Sequence, residues 1–287
     1  MHTHQDPPTV VLICHEQDRL DREALASWLA STARLAGLIL IRDRPGRIWR
    51  AARREITRVG LLRFADVVAF RAFARLFLAP RDAAWTDRTV QAVRERYPSD
   101  LESVPSIVVT SPNSDAAREF LVGLRPDIAI ARCKMILTPE VFQLPRVGTF
   151  VMHPGVCPEY RNAHGCFWAL VNRDMERVGM TLLKADAGID TGSVYLQAGY
   201  ALDEVEETHT MIQHRVVLEN LDAIGRILLA LCRGEQVPTV AVEGRHSATW
   251  GQPQLSAYVR WKRAARRARR SKVKGQKANA PGIAAVS

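Results

Sequence analysis

The sequence has few cysteines and no CxxC pair. Its five cysteines are an odd number and are spread along the chain, at Cys14, Cys133, Cys157, Cys166 and Cys232. A disulfide framework uses an even set of cysteines, and structural zinc sites use paired ones. We therefore expect reduced thiols, no metal site and a cytoplasmic location.

Long apolar runs are also missing. Residues 61–79 come nearest to the roughly 18 apolar residues that a membrane-spanning helix needs. Charged side chains interrupt this run at Arg63, Asp66, Arg71 and Arg75. The first residues contain no basic segment followed by an apolar one, so we expect no secretory signal. The sequence predicts no membrane span.

The C-terminal segment lacks acidic side chains. From Gly251 to Ser287 the sequence has ten Lys or Arg residues and no Asp or Glu. The rest of the chain has 30 basic and 30 acidic residues, so this segment accounts for the net charge of +10. We predict a basic, partly disordered tail over 251–287. A contact between this tail and RNA would be salt-dependent and non-specific.

The turn after the first predicted strand contains no glycine. TVVLICHE (9–16) is a β-branched apolar run, residues 18–35 have helical apolar spacing, and LAGLILIRD (35–43) is a second strand. Strand, helix and strand together indicate a βαβ unit and a parallel sheet. A dinucleotide site needs glycines in the turn CHEQDRLD, so we exclude NAD and FAD.

The alternation of strands and helices continues along the chain. Later strands are predicted at 106–111, 125–133, 147–153, 178–186 and 193–202, and helices at 85–97, 114–124, 138–144, 163–173 and 208–231. Residues 47–79 predict two helices broken near Gly60. Their arginines suit either a solvated face or contact with an anionic partner or membrane surface: Arg47, Arg50, Arg53, Arg54 and Arg58. We assign the α/β class, with a Rossmann-like three-layer sandwich and a mostly parallel sheet over residues 8–250.

Two titratable residues lie where a site is expected. His153 ends the apolar strand VGTFVMH, and ligands of open parallel sheets bind beyond the carboxyl ends of strands. Asp190 lies in the turn AGIDTG between two predicted strands, where aspartate also serves ordinary turn geometry. Taken singly, each residue fits a structural role as well as a functional one.

The contexts of these two residues are more specific together. HPGVCPEYRN (153–162) and VGMTLLKADAGIDTG (178–192), preceded by RPDIAIARCKMILTPEVFQLPRVGTFVMH (125–153), resemble the formyltransferase family. The resemblance runs from about Leu124 to Leu202 and implies the family's fold. It also implies formyl transfer from formyl-tetrahydrofolate to an amine through a tetrahedral intermediate. By position, His153 would be the protonated histidine that stabilises the oxyanion, and Asp190 the aspartate that keeps it charged.

The sequence departs from the family pattern in two places. The family's oxyanion-donating asparagine falls on Val151, and losing such a donor costs roughly 10²–10³ in turnover. Asn162 and His164 are the auxiliary candidates for that function. The loop implied to receive the folate reads RCKMILT, so the candidate contacts to this co-substrate are Arg132, Cys133, Lys134, Met135, Ile136 and Asp186.

These observations lead to one expected function and three alternatives. We expect an N-formyltransferase of one-carbon metabolism that uses formyl-tetrahydrofolate to formylate a small-molecule amine. The segment after residue 250 is too poor in β-branched residues for the tRNA-binding β-barrel of methionyl-tRNA formyltransferases. The alternatives are hydrolysis of formyl-tetrahydrofolate, a catalytically decayed binding protein on the same scaffold, and an RNA-binding protein that uses its basic tail.

Overall fold

The computed structural model describes residues 7–43, 53 and 55–278 of the protein. The first half of the chain contains β1 (Thr9–His15), a π-helical segment (Leu20–Leu25) leading into α1 (Ala26–Thr32), β2 (Arg34–Ile41), α2 (Leu61–Phe73), a second π-helical segment (Ala74–Leu78), α3 (Ala79–Arg96), β3 (Ser106–Val109), α4 (Asp115–Leu124) and β4 (Ile128–Arg132). The second half contains α5 (Pro139–Phe142), β5 (Gly148–His153), β6 (Arg161–Asn162), α6 (Gly165–Val171), a 3₁₀ turn (Met175–Arg177), β7 (Met180–Lys184), β8 (Val194–Ala198), α7 (His209–Leu218), α8 (Leu221–Cys232), β9 (Thr249–Trp250) and α9 (Leu255–Ala278).

Seven strands form one sheet in the order β3-β2-β1-β4-β5-β7-β8. Strands β3, β2, β1, β4 and β5 are parallel to one another, whereas β7 runs antiparallel to both β5 and β8. The predicted mostly parallel sheet is confirmed. Because the chain adds β2 on one side of β1 and β4 on the other, the carboxyl ends of β1 and β4 flank the position where ligands bind in such sheets.

Helices cover both faces of the sheet, which makes the three predicted layers. Along β1, Val10, Leu12 and Cys14 belong to the larger core cluster, while Val11 and Ile13 belong to a second cluster on the other face. This strand is buried on both sides, which explains why its sequence is a continuous apolar run rather than an alternating one. The larger core is closed by Trp28, Phe150, Phe167 and Trp261, all of them 2% exposed or less.

The helical run before β3 is longer than the sequence predicts. The predicted break at Gly60 is present, since Gly60 has a φ of 81°. From Leu61 to Arg96, however, α2, the second π-helical segment and α3 follow one another without a gap. The helix predicted over 85–97 is therefore the second part of a longer helix, α3. Of the Arg-rich face, Arg47, Arg50 and Arg54 lie outside the described residues, and Arg58 forms an ion pair with Glu55.

The single helix predicted over 208–231 is instead two helices, α7 and α8. Asn220 separates them, and its side-chain amide donates to the carbonyls of Val216 and Gly199. An asparagine that bonds to nearby backbone competes with the helical ladder. The amphipathic pattern continues across this break because both helices pack against the same core.

The segment predicted as a tail differs from its prediction over its first part. Helix α9 begins at Leu255, and Ala257, Trp261 and Ala265 are all 2% exposed or less in the larger core cluster. Packing therefore continues past the boundary expected at residue 250. This pattern is difficult to recognise in the sequence, because three apolar residues at helical spacing lie among ten basic ones.

Among the described residues, no helix combines the length and the apolar character needed to cross a bilayer. All five cysteines are free thiols.

Candidate active site at the carboxyl end of β5

His153 is the last residue of β5, and its ring lies between two oxygen atoms. Its Nε2 is 2.8 Å from the carbonyl oxygen of Tyr160, and its Nδ1 is 3.6 Å from Oδ2 of Asp190. The residue is 5% exposed. The structure therefore brings together the two residues on which the sequence analysis placed the chemistry, although 37 positions separate them in the chain.

The carbonyl of Tyr160 fixes the role of one ring nitrogen of His153. A ring nitrogen at hydrogen-bond distance from a carbonyl must be the donor, because a carbonyl can only accept, so Nε2 carries a proton. The other nitrogen, Nδ1, faces the carboxylate of Asp190. At 3.6 Å, the separation of these two groups exceeds a hydrogen bond.

A glycine makes the contact between His153 and Tyr160 possible. A Cβ atom on Gly155 would lie 2.5 Å from the Tyr160 carbonyl oxygen and 2.7 Å from His153 Nε2. Gly165 approaches the same carbonyl equally closely, at 2.7 Å for its hypothetical Cβ. Two glycines thus allow three backbone segments to converge on one imidazole. Nothing in the spacing of HPGVCPEYRNAHG shows this convergence.

Asp190 is held in place by the backbone of β6. Asp190 has a φ of 51°, in the left-handed region, and its Oδ2 accepts a 2.8 Å hydrogen bond from the backbone N–H of Asn162. Arg161 donates from Nη1 to the carbonyl of Ile189, which precedes Asp190. Asp186 closes the same turn by accepting from Gly188 N and from the Thr191 hydroxyl. Asp186 is therefore placed as a turn-forming residue.

The position of the family's asparagine is apolar in this protein. Val151 lies two residues before His153 in β5 and so points to the same face of the sheet. Its partners in the neighbouring strands are Ala131 and Leu183, which offer no side-chain donor. The side-chain nitrogen of Asn162 donates to the carbonyl of Trp250 at 2.6 Å, which ties β6 to β9. In this arrangement that amide stabilises the chain beside Asp190.

The other auxiliary candidate, His164, belongs to a separate polar cluster. Its ring lies 6.2 Å from that of His209, and its surroundings include Lys134 and Gln213. Burial lowers the pKa of His164 to about 4, so the ring is neutral at pH 7. His164 can therefore donate only as a neutral group.

The loop expected to contact the folate is divided between the interior and the surface. Arg132 is buried. Its Nε donates to Asp21 at 2.9 Å, and its Nη1 donates to the carbonyl of Met152 at 2.5 Å. Its guanidinium thus fixes the backbone next to His153 and is unavailable as a surface cation. Cys133 lies 3.4 Å from the carbonyl of Met135, and Lys134 and Ile136 are exposed.

Sequence reasoning missed a cluster of one buried and two half-buried titratable residues near this loop. Side-chain ligand atoms of Asp18, Asp21 and His214 lie within 4.8 Å of one another, a spacing that a metal ion could bridge. Arg132 already neutralises Asp21, however, and burial raises the pKa of Asp21 to about 7. Both effects disfavour a divalent cation. Burial also raises the pKa of the Cys157 thiol, so this cysteine is a poor nucleophile.

Residues 89–228, which include both His153 and Asp190, match a family model described as formyl transferase. This segment is similar to the formyl transferase family. The chain is 36% identical over 129 residues to a methionyl-tRNA formyltransferase from Thermotoga maritima and 36% identical over 115 residues to one from Bacteroides fragilis. These alignments cover 45% and 37% of this chain, and 39% and 35% of the relatives' own lengths.

Solved structures resemble the protein in fold. Glycinamide ribonucleotide transformylase 1 from Symbiobacterium toebii aligns with a TM-score of 0.50 at 13% identity, covering 86% of this chain and 96% of its own. A 4-N formyltransferase from Francisella tularensis aligns with a TM-score of 0.50 at 10% identity, covering 90% and 87%. At these identities the likeness concerns the fold alone.

Proposed function

We propose that the protein is a formyl-tetrahydrofolate-dependent N-formyltransferase acting on a small-molecule amine. The observation that carries the proposal is the approach of His153 to Asp190 at the carboxyl end of β5, 3.6 Å apart, inside the segment that is similar to the formyl transferase family. Formyl-tetrahydrofolate would supply the formyl group as co-substrate. The protein's own residues would handle charge and protons.

In this proposal, His153 donates from Nδ1 to the oxygen of the formyl carbonyl as the amine adds to its carbon. Preorganised donors of this kind stabilise the developing oxyanion because they need no reorientation during the reaction. Asp190 keeps the ring charged and accepts the proton that the attacking amine loses. The intermediate then collapses, and N10 of tetrahydrofolate leaves with a proton.

The donor set fits formyl transfer in two of its three parts. In this proposal, His153 provides the charged donor and Asp190 the proton acceptor. The third part, an amide donor to the oxyanion, is replaced by Val151 and its apolar neighbours. Lys134 and Ile136, exposed on the loop after β4, are the residues we propose at the co-substrate.

The character of helix α9 is the reason for proposing a small acceptor. Among the described residues, Leu255–Ala278 form this basic helix, which packs on the core instead of forming strands. We therefore propose an amino sugar or an amino acid derivative as the acceptor.

The test measures tetrahydrofolate release from formyl-tetrahydrofolate in the presence of a panel of small amines. We expect amine-dependent release, with His153→Ala and Asp190→Ala each lowering turnover by about 10²–10³ or more. His246→Ala is the matched control, because His246 is exposed and distant in sequence from the site. Circular dichroism verifies that each variant is folded.

Three results would contradict the proposal. Release without any amine would indicate hydrolysis. A thermal shift with a folate analogue but no turnover with any amine would indicate a binding protein. Wild-type turnover in both variants would remove His153 and Asp190 from the chemistry.

A further inference from the structure

Helix α2 and the π-helical segment after it expose an apolar surface that the proposed enzyme chemistry does not use. Five large side chains are between 47% and 90% exposed: Leu61, Leu62, Val68, Leu76 and Phe77. We call these five residues the apolar ridge. They account for five of the nine large apolar side chains that are most exposed among the described residues. Such clustering on one helix is typical of a binding surface.

Two residues of the ridge, Leu61 and Val68, lie on an exposed apolar stripe of the helix. Leu61, Ala65, Val68, Ala69 and Ala72 follow the i, i+4, i+7, i+8, i+11 spacing of one helical stripe, and all of them are exposed. The opposite side of the helix packs Val67, Phe70 and Leu78 into the protein. The helix is therefore apolar on both sides, which in a water-exposed helix indicates that the outer side is covered by something else.

The charges around the ridge are basic. Along the same helix, Arg63, Arg71 and Arg75 are exposed, and none of them has a carboxylate within ion-pair distance among the described residues. The one acidic residue of α2, Asp66, accepts hydrogen bonds from the backbone N–H and the hydroxyl of Ser256. It is thus occupied by α9 and cannot neutralise the arginines.

Helix α9 adds more positive charge beside the ridge. It packs along α2, where the Tyr258 ring lies 5.5 Å from those of both Phe70 and Phe73. Helix α9 contains no acidic residue, and it exposes Arg260, Arg263, Arg266, Arg267 and Arg270. Apolar side chains flanked by uncompensated arginines match the composition of a helix that lies in the interface of an anionic membrane.

We propose that the apolar ridge docks the protein on an anionic lipid surface, with α2 parallel to the membrane plane. Leu61, Leu62 and Leu76 would enter the boundary between headgroups and acyl chains while Arg71 and Arg75 contact acidic headgroups. A second copy of the chain fits this surface less well, because two ridges packed together would bring arginines from both copies into proximity. The ridge includes neither His153 nor Asp190, so this proposal does not depend on the proposed function.

The test is sedimentation of the full-length protein with vesicles of phosphatidylcholine and phosphatidylserine, compared with vesicles of phosphatidylcholine alone. We expect about tenfold or stronger partitioning onto the anionic vesicles, decreasing with added salt. The variant Leu61→Gln/Leu62→Gln/Leu76→Gln should lose about tenfold or more of this partitioning. Arg71→Gln/Arg75→Gln should lose several-fold at low salt.

Val122→Gln is the matched control. Val122 is 54% exposed on α4, away from the ridge, so its replacement should leave vesicle binding unchanged. All of these substitutions replace exposed side chains, and circular dichroism verifies the fold of each variant.

Four outcomes would overturn the proposal. The first is no preference for the anionic vesicles, and the second is full binding by the triple glutamine variant. The third is a vesicle-independent dimer that this variant abolishes, which would identify the ridge as a contact between copies. The fourth is binding of RNA in place of vesicles, with loss on substituting the arginines of α9 but not those of α2.

Discussion

At the scale of single residues, the candidate site is built mostly from backbone groups. His153 is positioned by the carbonyl of Tyr160, and Asp190 by the N–H of Asn162. Nearly every residue type supplies the same backbone N–H and C=O groups. The sequence therefore gives little indication of these contacts. The glycines at 155 and 165 are the exception, since a Cβ at either position would collide with the Tyr160 carbonyl.

The apolar residue beside His153 leads to a prediction about turnover. Val151→Asn would add a side-chain amide on the face that carries His153, where the proposed oxyanion forms. We expect the turnover of formyl transfer to rise by roughly 10²–10³. Because Ala131 and Leu183 offer the new amide no partner, the free energy of unfolding should fall by about 1–3 kcal/mol. Steady-state kinetics and urea denaturation measure the two effects.

Val151→Ala is the control for that experiment, since it changes size without adding a donor. An unchanged or lower turnover in Val151→Asn, with the fold retained, would mean that another group already serves the oxyanion.

At the scale of elements, helix α9 shows how a charged segment becomes part of a core. Lys262 is only 7% exposed, and its ammonium donates to the carbonyls of Glu204, Val205 and Glu207. It also lies 4.2 Å from the centre of the Trp261 ring. Burial lowers the pKa of Lys262 to about 8, but the three carbonyls provide partners for its N–H groups. The helix is thereby attached to the loop before α7.

This attachment predicts that α9 contributes to stability. Trp261 is completely buried. Trp261→Ala should therefore lower the free energy of unfolding by about 3–5 kcal/mol, the usual cost of removing a large aromatic side chain from a core. Arg267→Ala, on the exposed side of the same helix, should change it by less than about 0.5 kcal/mol. Urea denaturation followed by tryptophan fluorescence and circular dichroism compares the two, and equal stabilities would show that α9 is an independent tail.

At the scale of the whole molecule, buried histidines connect several elements behind the site. His164 precedes α6, whereas His209 and His214 lie on α7. Burial lowers the pKa of His209 to about 3 and that of His164 to about 4. Burial also lowers the pKa of His214, against the opposing attraction of Asp18 at 3.9 Å. In the folded protein these rings are neutral over most of the acidic range.

Stability should therefore decrease on acidification. The unfolded chain takes up protons at its histidines below about pH 6.5, but the folded chain does so only near pH 4 and below. Each histidine thus favours unfolding as the pH falls through this window, by about 1 kcal/mol per pH unit. Asp21 acts in the opposite direction, because burial raises its pKa to about 7. Burial raises the pKa of Asp82 as well, so three histidines act against two aspartates, and on balance the free energy of unfolding decreases.

Urea denaturation at several pH values between 7.5 and 5 measures this dependence. His209→Asn should weaken the pH dependence of the free energy of unfolding. His246→Asn, at an exposed position, should leave this dependence unchanged. Equal stability of the wild-type protein at both ends of that range would contradict the assignment of neutral buried rings.

The sequence by itself determined the sheet and the likeness to the formyltransferases, and it indicated the two candidate residues. Buried parallel strands require continuous apolar runs, and that requirement made β1, β2, β4 and β5 predictable. The motif HPGVCPEYRN places His153 at the carboxyl end of such a run. Asp190 instead reaches His153 from the loop between the antiparallel strands β7 and β8.

Only the tertiary structure decided which groups surround those residues. Arg132 is typical of a surface cation in sequence, yet it is buried against Asp21, because two opposite charges distant in the chain meet in the fold. The sequence predicts Trp261 and Lys262 as part of a basic, partly disordered tail for the same reason, since composition does not reveal which carbonyls a lysine will reach. Local pattern fixes the period and length of an element, whereas the partners of a buried polar group come from residues far away in the chain.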